Sequence, residues 1–448
     1  MTRLFGTDGV RGIANLELTS DLAFRLGQAG AHVLAGKLNH APTVIVGTDT
    51  RVSCDMLFCA LAAGLCSVGA NVVKVGVIPT PGIAYLTRKH GADAGVVISA
   101  SHNSYEFNGI KFFDSRGYKL ADEVENAIEA VITGGVPLPH KMNREIGRVL
   151  EKPEYLEDYK DFLFSQFEAN LSGWEIFLDC ANGAASGIAP DVFRRAGALV
   201  HAISDKPDGF NINEECGSTH PEKMSEVVRD SNARAGFAYD GDADRLIAFS
   251  GDGQPIDGDM ILSALALHMK KQGRLRHNRI VTTVMSNIGL DKMAGENDIE
   301  VVRTRVGDRY VIEEMLRSGS NLGGEQSGHI ILTDCNTTGD GILTSIKLIS
   351  MLELEHMSPE DIREMMTVYP QITRNARVGN GNKEKFFEDM VLMDMCRELD
   401  EILKGEGRVI IRPSGTEPVI RVMMEGRDIG YITEKTDEMV RLIEERLG

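Results

Sequence analysis

A chain of 448 residues, 42% hydrophobic and 25% charged, exceeds one core at about 100–200 residues per domain and predicts three or four globular domains. Its formal charge of -18 excludes nucleic acid and anionic membrane surfaces as partners, because phosphate polymers are held by clustered Lys and Arg. Seven scattered cysteines without a CxxC pair exclude a disulfide framework or a zinc site and fit a reducing cytoplasm.

The first residues, MTRLFGTDGVRG, place Asp8 and Arg11 where a signal peptide needs an apolar stretch, and no apolar run reaches the roughly 18 residues of a membrane span. The expectation is a protein neither exported nor membrane-bound. Short apolar runs then alternate with helical periodicity: strand TVIVG (43–47), a helix over 54–68, and strands NVVKVG (71–76) and AGVVIS (94–99). This is the βαβ rhythm of a mostly parallel sheet covered by helices. It recurs in WEIFLDC (174–180), a helix over 188–195, LVHAI and GFAYD (236–240), and again in IVTTVM (280–285), IEVVRT (299–304) and HIILT (329–333). The tail reads strand, helix (383–403), strands VIIR (409–412) and VIRVMMEG (419–426), and helix (434–447). The fold class expected is α/β: three related α/β domains with mixed, mostly parallel sheets, then a smaller C-terminal α+β domain. Changes of rhythm place the domains at 1–155, 156–252, 253–367 and 368–448.

Four segments carry groups suited to chemistry. VVISASHNSYEFNGIKFF (96–113) runs from a buried strand into Ser101, His102 and Asn103 and returns through Lys111, a hairpin with a polar tip. A nucleophile elbow would need glycines in the order GxSxG, and Ala100 and His102 do not supply it. A plain polar turn explains this stretch, taken alone, as well as any function does. AYDGDADRL (238–246) sets Asp240, Asp242 and Asp244 at alternating positions after a strand. Carboxylates so close repel, and a hard divalent cation with oxygen ligands relieves them. An EF-hand fails, since Arg245 would occupy its glycine position and Gly251 its glutamate position, whereas Mg²⁺ accepts few protein ligands and completes its shell with water and phosphate. GGEQSGH (323–329) offers Glu325 and Ser327 to sugar hydroxyls, with His329 a candidate beside them. RPSGTEP (412–418) joins Arg412 to Ser414, Gly415 and Thr416, with Arg421 beyond, in the manner of an anion nest; a tight turn is the plainer alternative.

In this order and at these separations the four segments resemble the α-D-phosphohexomutase superfamily. FGTDGVRG (5–12), GTDTR (47–51), PTPG (79–82), DCANGA (179–184), GFNINEECGSTHP (209–221) and TRVGDRY (304–310) look like family segments too, so the resemblance spans nearly the whole chain. Gln326, CGSTHP and VGDRY point to the glucosamine branch. The chain departs from the family pattern at Ser104, where proline is usual, at Phe107, where Asp is frequent, and at Cys54, where Gly is common. Losing a proline's fixed φ predicts a looser loop after Asn103.

The resemblance implies a phosphorylated Ser101 and Mg²⁺ on Asp240, Asp242 and Asp244 together with that phosphoserine. It implies catalytic roles for His102, Lys111, Arg11, Arg245 and His329 around the transferring phosphoryl, and a mobile last domain gripping substrate phosphate through Arg412, Ser414, Gly415, Thr416 and Arg421. Glu325 and Ser327 would read sugar hydroxyls in two orientations. The implied reaction interconverts glucosamine 6-phosphate and glucosamine 1-phosphate through a glucosamine 1,6-bisphosphate intermediate, in the cytoplasm, feeding UDP-N-acetylglucosamine and cell-wall precursor synthesis. The partner is a small sugar phosphate, and a homodimer is left open. Alternatives are a phosphomannomutase or phosphoglucomutase of the same superfamily, or an aspartyl-nucleophile sugar phosphatase with Asp240 phosphorylated. Asp244, where that class normally has a small Thr or Val, counts against the phosphatase. A non-catalytic sugar-phosphate binder would leave the three carboxylates without a task.

Overall fold

The β-branched runs picked out along the chain are strands, and a computed structural model describing residues 3–6, 8–36, 38–135, 138, 140–379, 381–414 and 418–448 assembles them into four sheets. The first contains β1 (Val10–Ile13), β2 (Thr43–Thr48), β3 (Asn71–Val77), β4 (Ala94–Ile98), β5 (Phe107–Asp114) and β6 (Val149–Glu151), in the order β1-β5-β4-β2-β3-β6. The second contains β7 (Glu175–Asp179), β8 (Leu199–Ile203), β9 (Ala235–Tyr239), β10 (Leu246–Ser250) and β11 (Pro255–Ile256), in the order β11-β10-β9-β7-β8. The third contains β12 (Arg279–Thr283), β13 (Glu300–Thr304), β14 (Leu322–Gly324) and β15 (Ile330–Leu332), in the order β13-β12-β14-β15.

These three sheets share one topology. In each, the first strand of a quartet (β2, β7 or β12) lies parallel to the second and third, and the fourth returns antiparallel to the third. The expected repetition of three related α/β domains is therefore present. Central strands such as β4 and β9 are buried along their whole length, which is why they read as continuous apolar runs rather than alternating ones. Leu57, Leu61 and Leu65 of the helix Cys54–Ser67 and Leu26 of the helix Ser20–Ala35 join Val44, Val46, Val72 and Val96 in the first core.

The fourth sheet, β16 (Gln371–Arg377), β17 (Gly407–Pro413) and β18 (Val419–Gly426), is antiparallel throughout, with β18 in the middle. The expected helix over 383–403 is broken in two. Asp389 accepts from the N–H groups of Val391 and Leu392, caps a new helix Met390–Leu403, and leaves Lys383–Glu388 as a tighter 3₁₀ segment. The last helix begins earlier than expected, at Ile429, because Asp428 caps it through Tyr431 N–H.

The chain divides into two compact units, residues 1–285 with 298–365, and residues 286–297 with 366–448. Within the second unit the buried Glu425 carboxylate binds the N–H of Ile288 at 2.8 Å and Arg408 Nε at 2.7 Å, which ties the helix Ile288–Glu296 to the antiparallel sheet. Among the described residues no helix is long and apolar enough to cross a membrane.

Candidate active site

The first three motifs occupy the same kind of place, the turn between two consecutive antiparallel strands: β4 to β5, β9 to β10, and β14 to β15; of the fourth, Arg412 and Pro413 end β17 and Ser414 follows it. In the first three domains that turn sits at the carboxyl end of a strand parallel to its neighbour, where open α/β sheets bind ligands.

In the first unit, Ser101 Oγ donates to Asp240 Oδ2 at 2.7 Å. Ser101 is 2% exposed and holds the left-handed backbone conformation, φ 54°. Gly241 makes the approach practicable, since a Cβ there would lie 2.6 Å from the Ser101 carbonyl oxygen. His102 Nδ1 is 3.4 Å from Ser101 Oγ, and burial plus the nearby Arg245 and Arg11 push this imidazole down to about 4, so it is neutral at physiological pH.

Asp240, Asp242 and Asp244 are buried, with one carboxylate oxygen from each lying within 4.8 Å of the others. Asp242 Oδ2 accepts from Thr80 Oγ1 at 2.5 Å and Lys111 Nζ at 2.9 Å, yet Asp242 Oδ1 has no hydrogen-bond partner. Asp244 Oδ1 has none either. Burial, then the charges of Asp244 and Asp242, drive the Asp240 carboxyl well above the usual range. For Asp242 burial acts the same way, but Lys111 and the Thr80 hydroxyl outweigh it and hold the group ionised. Two bare buried oxygens on three crowded carboxylates fit a hard divalent cation.

Lys111 is 1% exposed and also binds Asp8 Oδ2 at 3.0 Å; burial opposes its charge, and Asp242 and Asp8 restore it. Asp8 pairs further with Arg11 and Lys119, and Lys119 with Asp308. Asp308 Oδ2 lies 3.5 Å from His329 Nε2, and His329 Nδ1 lies 3.5 Å from Asp244 Oδ2. A chain of alternating charge thus runs from Asp242 through Lys111, Asp8, Lys119, Asp308 and His329 to Asp244. Burial works against a charged His329, but Asp244 and Asp308 push its pKa up to about 9. The N–H of Gly339 points to Nε2 at 3.1 Å.

Arg245 is charged despite burial because Asp240, Asp244 and Glu325 surround it. The sugar-loop candidates lie directly on the acidic segment: Leu246 N–H donates to the Gly328 carbonyl at 3.0 Å, and Gly328, at φ 91°, would put a Cβ 2.0 Å from Leu246 O. Glu325 Oε1 accepts from Gly307 N–H at 3.2 Å and burial raises its pKa, while Ser327 is exposed at the tip. Gln326 Nε2 reaches Asp257 Oδ2 at 3.4 Å.

The first unit therefore brings together Ser101, His102, Arg11, Lys111, the three aspartates, Arg245, Glu325, Ser327 and His329. Arg412, Ser414 and Arg421 belong to the second unit, where Arg412 and Arg421 are direct cross-strand partners. Burial and then the like charge of Arg421 lower the Arg412 pKa. Gly415 and Thr416 lie outside the described residues. The carbonyls of the loop around Asn103 are held by a side chain: Arg51 Nη1 donates to those of Ser104 and Phe107, and Nη2 to those of Ser101 and Asn103. Sequence reasoning assigned no task to Asp8, Thr80, Lys119, Asp308 or Arg51. The segments FGTDGVRG, PTPG, TRVGDRY and GTDTR that hold four of them stand out in the sequence; nothing local signals Lys119.

The chain matches family models along its length: phosphoglucomutase/phosphomannomutase alpha/beta/alpha domain I over residues 2–137, domain II over 153–253, domain III over 257–369, and the C-terminal domain over 374–442. It is 54% identical over 451 residues to a phosphoglucosamine mutase of Acetivibrio thermocellus and 51% identical over 449 residues to that of Clostridioides difficile, with 100% of each chain covered in both comparisons. A phosphoglucomutase/phosphomannomutase family protein of Burkholderia thailandensis shares the fold, with TM-score 0.84, 23% identity, and coverage of 99% of this chain and 98% of that one. So does the N-acetylphosphoglucosamine mutase of Aspergillus fumigatus in complex with GlcNAc-6P and magnesium, with TM-score 0.68, 15% identity, and coverage of 99% and 96%. The chain belongs to the phosphoglucomutase/phosphomannomutase family and stands among its phosphoglucosamine mutase members.

Proposed function

We propose that the protein interconverts glucosamine 6-phosphate and glucosamine 1-phosphate, with Ser101 as the phosphoryl carrier and glucosamine 1,6-bisphosphate as the intermediate. The observation that carries the reading is the hydrogen bond of Ser101 Oγ to Asp240 beside the two unpartnered carboxylate oxygens of Asp242 and Asp244. Full-length likeness to phosphoglucosamine mutases supports the substrate.

In the first half-reaction the bond between phosphorus and Ser101 Oγ breaks while a sugar hydroxyl oxygen bonds to phosphorus. The hydroxyl proton leaves to a base, for which neutral His102 is the candidate, and the departing Ser101 Oγ takes up a proton; His329, charged between Asp244 and Asp308, adds positive charge nearby. In the second half-reaction Ser101 Oγ gives up its proton and bonds to phosphorus of the other phosphoryl of the reoriented bisphosphate, while the bond from that phosphorus to the sugar oxygen breaks and the sugar oxygen takes up a proton. Mg²⁺ held by Asp240, Asp242, Asp244 and the Ser101 phosphoryl would supply charge neutralisation for the transferring group. Lys111, Arg11 and Arg245 provide fixed positive charge around Ser101, and a loose phosphoryl-transfer transition state gains chiefly from such positioning. Glu325 and Ser327 would meet sugar hydroxyls, and Arg412, Ser414, Gly415, Thr416 and Arg421 the non-transferring phosphate.

We place the enzyme in the cytoplasm, where free thiols and monophosphorylated sugars are maintained. The test is interconversion of the two glucosamine phosphates in the presence of Mg²⁺ and a catalytic amount of hexose 1,6-bisphosphate. A larger kcat/KM for glucosamine than for glucose or mannose phosphates supports the proposal. Net release of inorganic phosphate without isomerisation would replace it with the phosphatase reading.

A further inference from the structure

The proposed transfer leaves two family-like segments, GTDTR (47–51) and GFNIN (209–213), without a task. Both reach the backbone of the serine loop. Ser101 is not glycine, yet its φ is 54°, a conformation an L-residue keeps only where its surroundings over-determine it. Here they do. The Ser101 N–H donates to Ser99 Oγ at 3.0 Å, and that hydroxyl donates to Asp49 Oδ2 at 2.7 Å. The Ser101 carbonyl accepts from Arg51 Nη2 at 3.0 Å and from Asn213 Nδ2 at 2.9 Å. The Asn103 carbonyl accepts from the same two side chains, at 2.8 and 2.9 Å. Arg51 is itself held by Asp49, through Nε at 2.8 Å, and its side chain is 0% exposed.

Two side chains from different domains therefore grip the same pair of carbonyls. Asn213 is 6% exposed and its Oδ1 has no hydrogen-bond partner, so its amide acts through its donors alone. Four N–H bonds to the carbonyls of Ser101 and Asn103 offset their partial negative charge in the loop where a phosphoryl of about -1.5 to -2 charge must arrive. It also fixes Oγ against Asp240.

Resting on the reading of Ser101 as phosphoryl carrier, we infer that Arg51 and Asn213 are positioning residues for the transfer: their N–H groups offset the partial negative charge of the Ser101 and Asn103 carbonyls and lock the left-handed turn that aims Oγ at the acidic triplet. Neither touches the reacting atoms.

The experiment charges Ser101 of the full-length protein with glucose 1,6-bisphosphate and Mg²⁺, reads added phosphoryl by intact mass against time, and pairs this with kcat, KM and thermal melts. Asn213→Ala is expected to slow charging and kcat by about 10- to 100-fold with KM within about threefold of wild type, the size of a small misplacement of a reacting group. Asn213→Asp, which offers no donor, is expected to lose at least as much. Arg51→Lys keeps the charge but cannot span four carbonyls, and should also slow charging. Should an Asn213 variant fail to melt cooperatively, Arg51→Lys is read in its place. Folded variants that charge at the wild-type rate overturn the inference alone. A wild-type protein that gains no phosphoryl overturns the proposed function and this inference with it.

Discussion

Ser101 and Asp240 stand 139 residues apart in sequence and 2.7 Å apart in space, so the hairpin tips of two successive domains meet as hydroxyl and carboxylate. Each tip alone is an ordinary polar turn; their meeting makes a place where an oxygen nucleophile and a cation site share one wall. Replacing Ser101 by Ala should remove the carrier and lower kcat by about 10³-fold or more in the isomerase assay, with the melting temperature little changed.

The acidic triplet should be unstable without a cation and stabilised by one. Mg²⁺ is expected to raise the melting temperature of the wild type, by mass action on the folded state. In Asp244→Asn the Mg²⁺-dependent increment should shrink, because one of the three carboxylates that would hold the cation is gone. Melts with and without EDTA decide this, and an unaltered Mg²⁺ increment in Asp244→Asn would remove that residue from the cation site.

Lys111 joins the buried Asp242 carboxylate to the part-buried Asp8. Lys111→Met should leave Asp242 without its cation, while Asp8 keeps Arg11 and Lys119, and cost about 3–5 kcal/mol of stability in urea unfolding, together with a loss of kcat.

Asp340 supplies a pH dependence remote from the reacting groups. Its Oδ1 caps the helix Gly341–Glu355 through Leu343 N–H, and its Oδ2 accepts from Tyr159 and Asn336, while burial pushes its pKa up to about 6 from a usual 3.8. A carboxyl whose folded-state pKa is raised binds its proton more tightly when folded. Its stabilisation is complete below about pH 4 and is lost as pH rises through 6, amounting to about 3 kcal/mol. Asp340→Asn keeps the cap acceptor and should flatten that part of the stability curve; the wild-type minus variant difference between pH 4 and 7 measures it.

Arg412 faces Arg421 across two antiparallel strands, an arrangement that favours a bound anion. Arg412→Ala is expected to raise KM for the sugar phosphate by about 10-fold or more while kcat stays within about threefold.

Much of this was legible because the chemistry is local in sequence. Asp240, Asp242 and Asp244 alternate within five residues, and Ser101 sits where an apolar strand ends, so both tips and their hairpins could be placed from pattern alone. The charge chain that joins them could not. Lys119 meets Asp8 of its own domain at a separation of 111 residues and Asp308 of the third domain at 189, contacts that only the tertiary fold brings about. Arg51 stood only within a family-like segment, and its bonds to the carbonyls of Ser101, Asn103, Ser104 and Phe107, 50 and more residues away, are tertiary. Helix ends were misplaced where Asp389 and Asp428 cap, because apolar periodicity marks a buried face and says little about where a cap begins the first turn.

The central claim is that the Ser101 oxygen carries phosphoryl while the acidic triplet holds the cation. Incubation with glucosamine 1,6-bisphosphate and Mg²⁺, followed by peptide mapping, tests it most directly. One phosphoryl on Ser101, discharged by glucosamine 6-phosphate, is the predicted result; a phosphoryl on Asp240, or none on the protein, would contradict it.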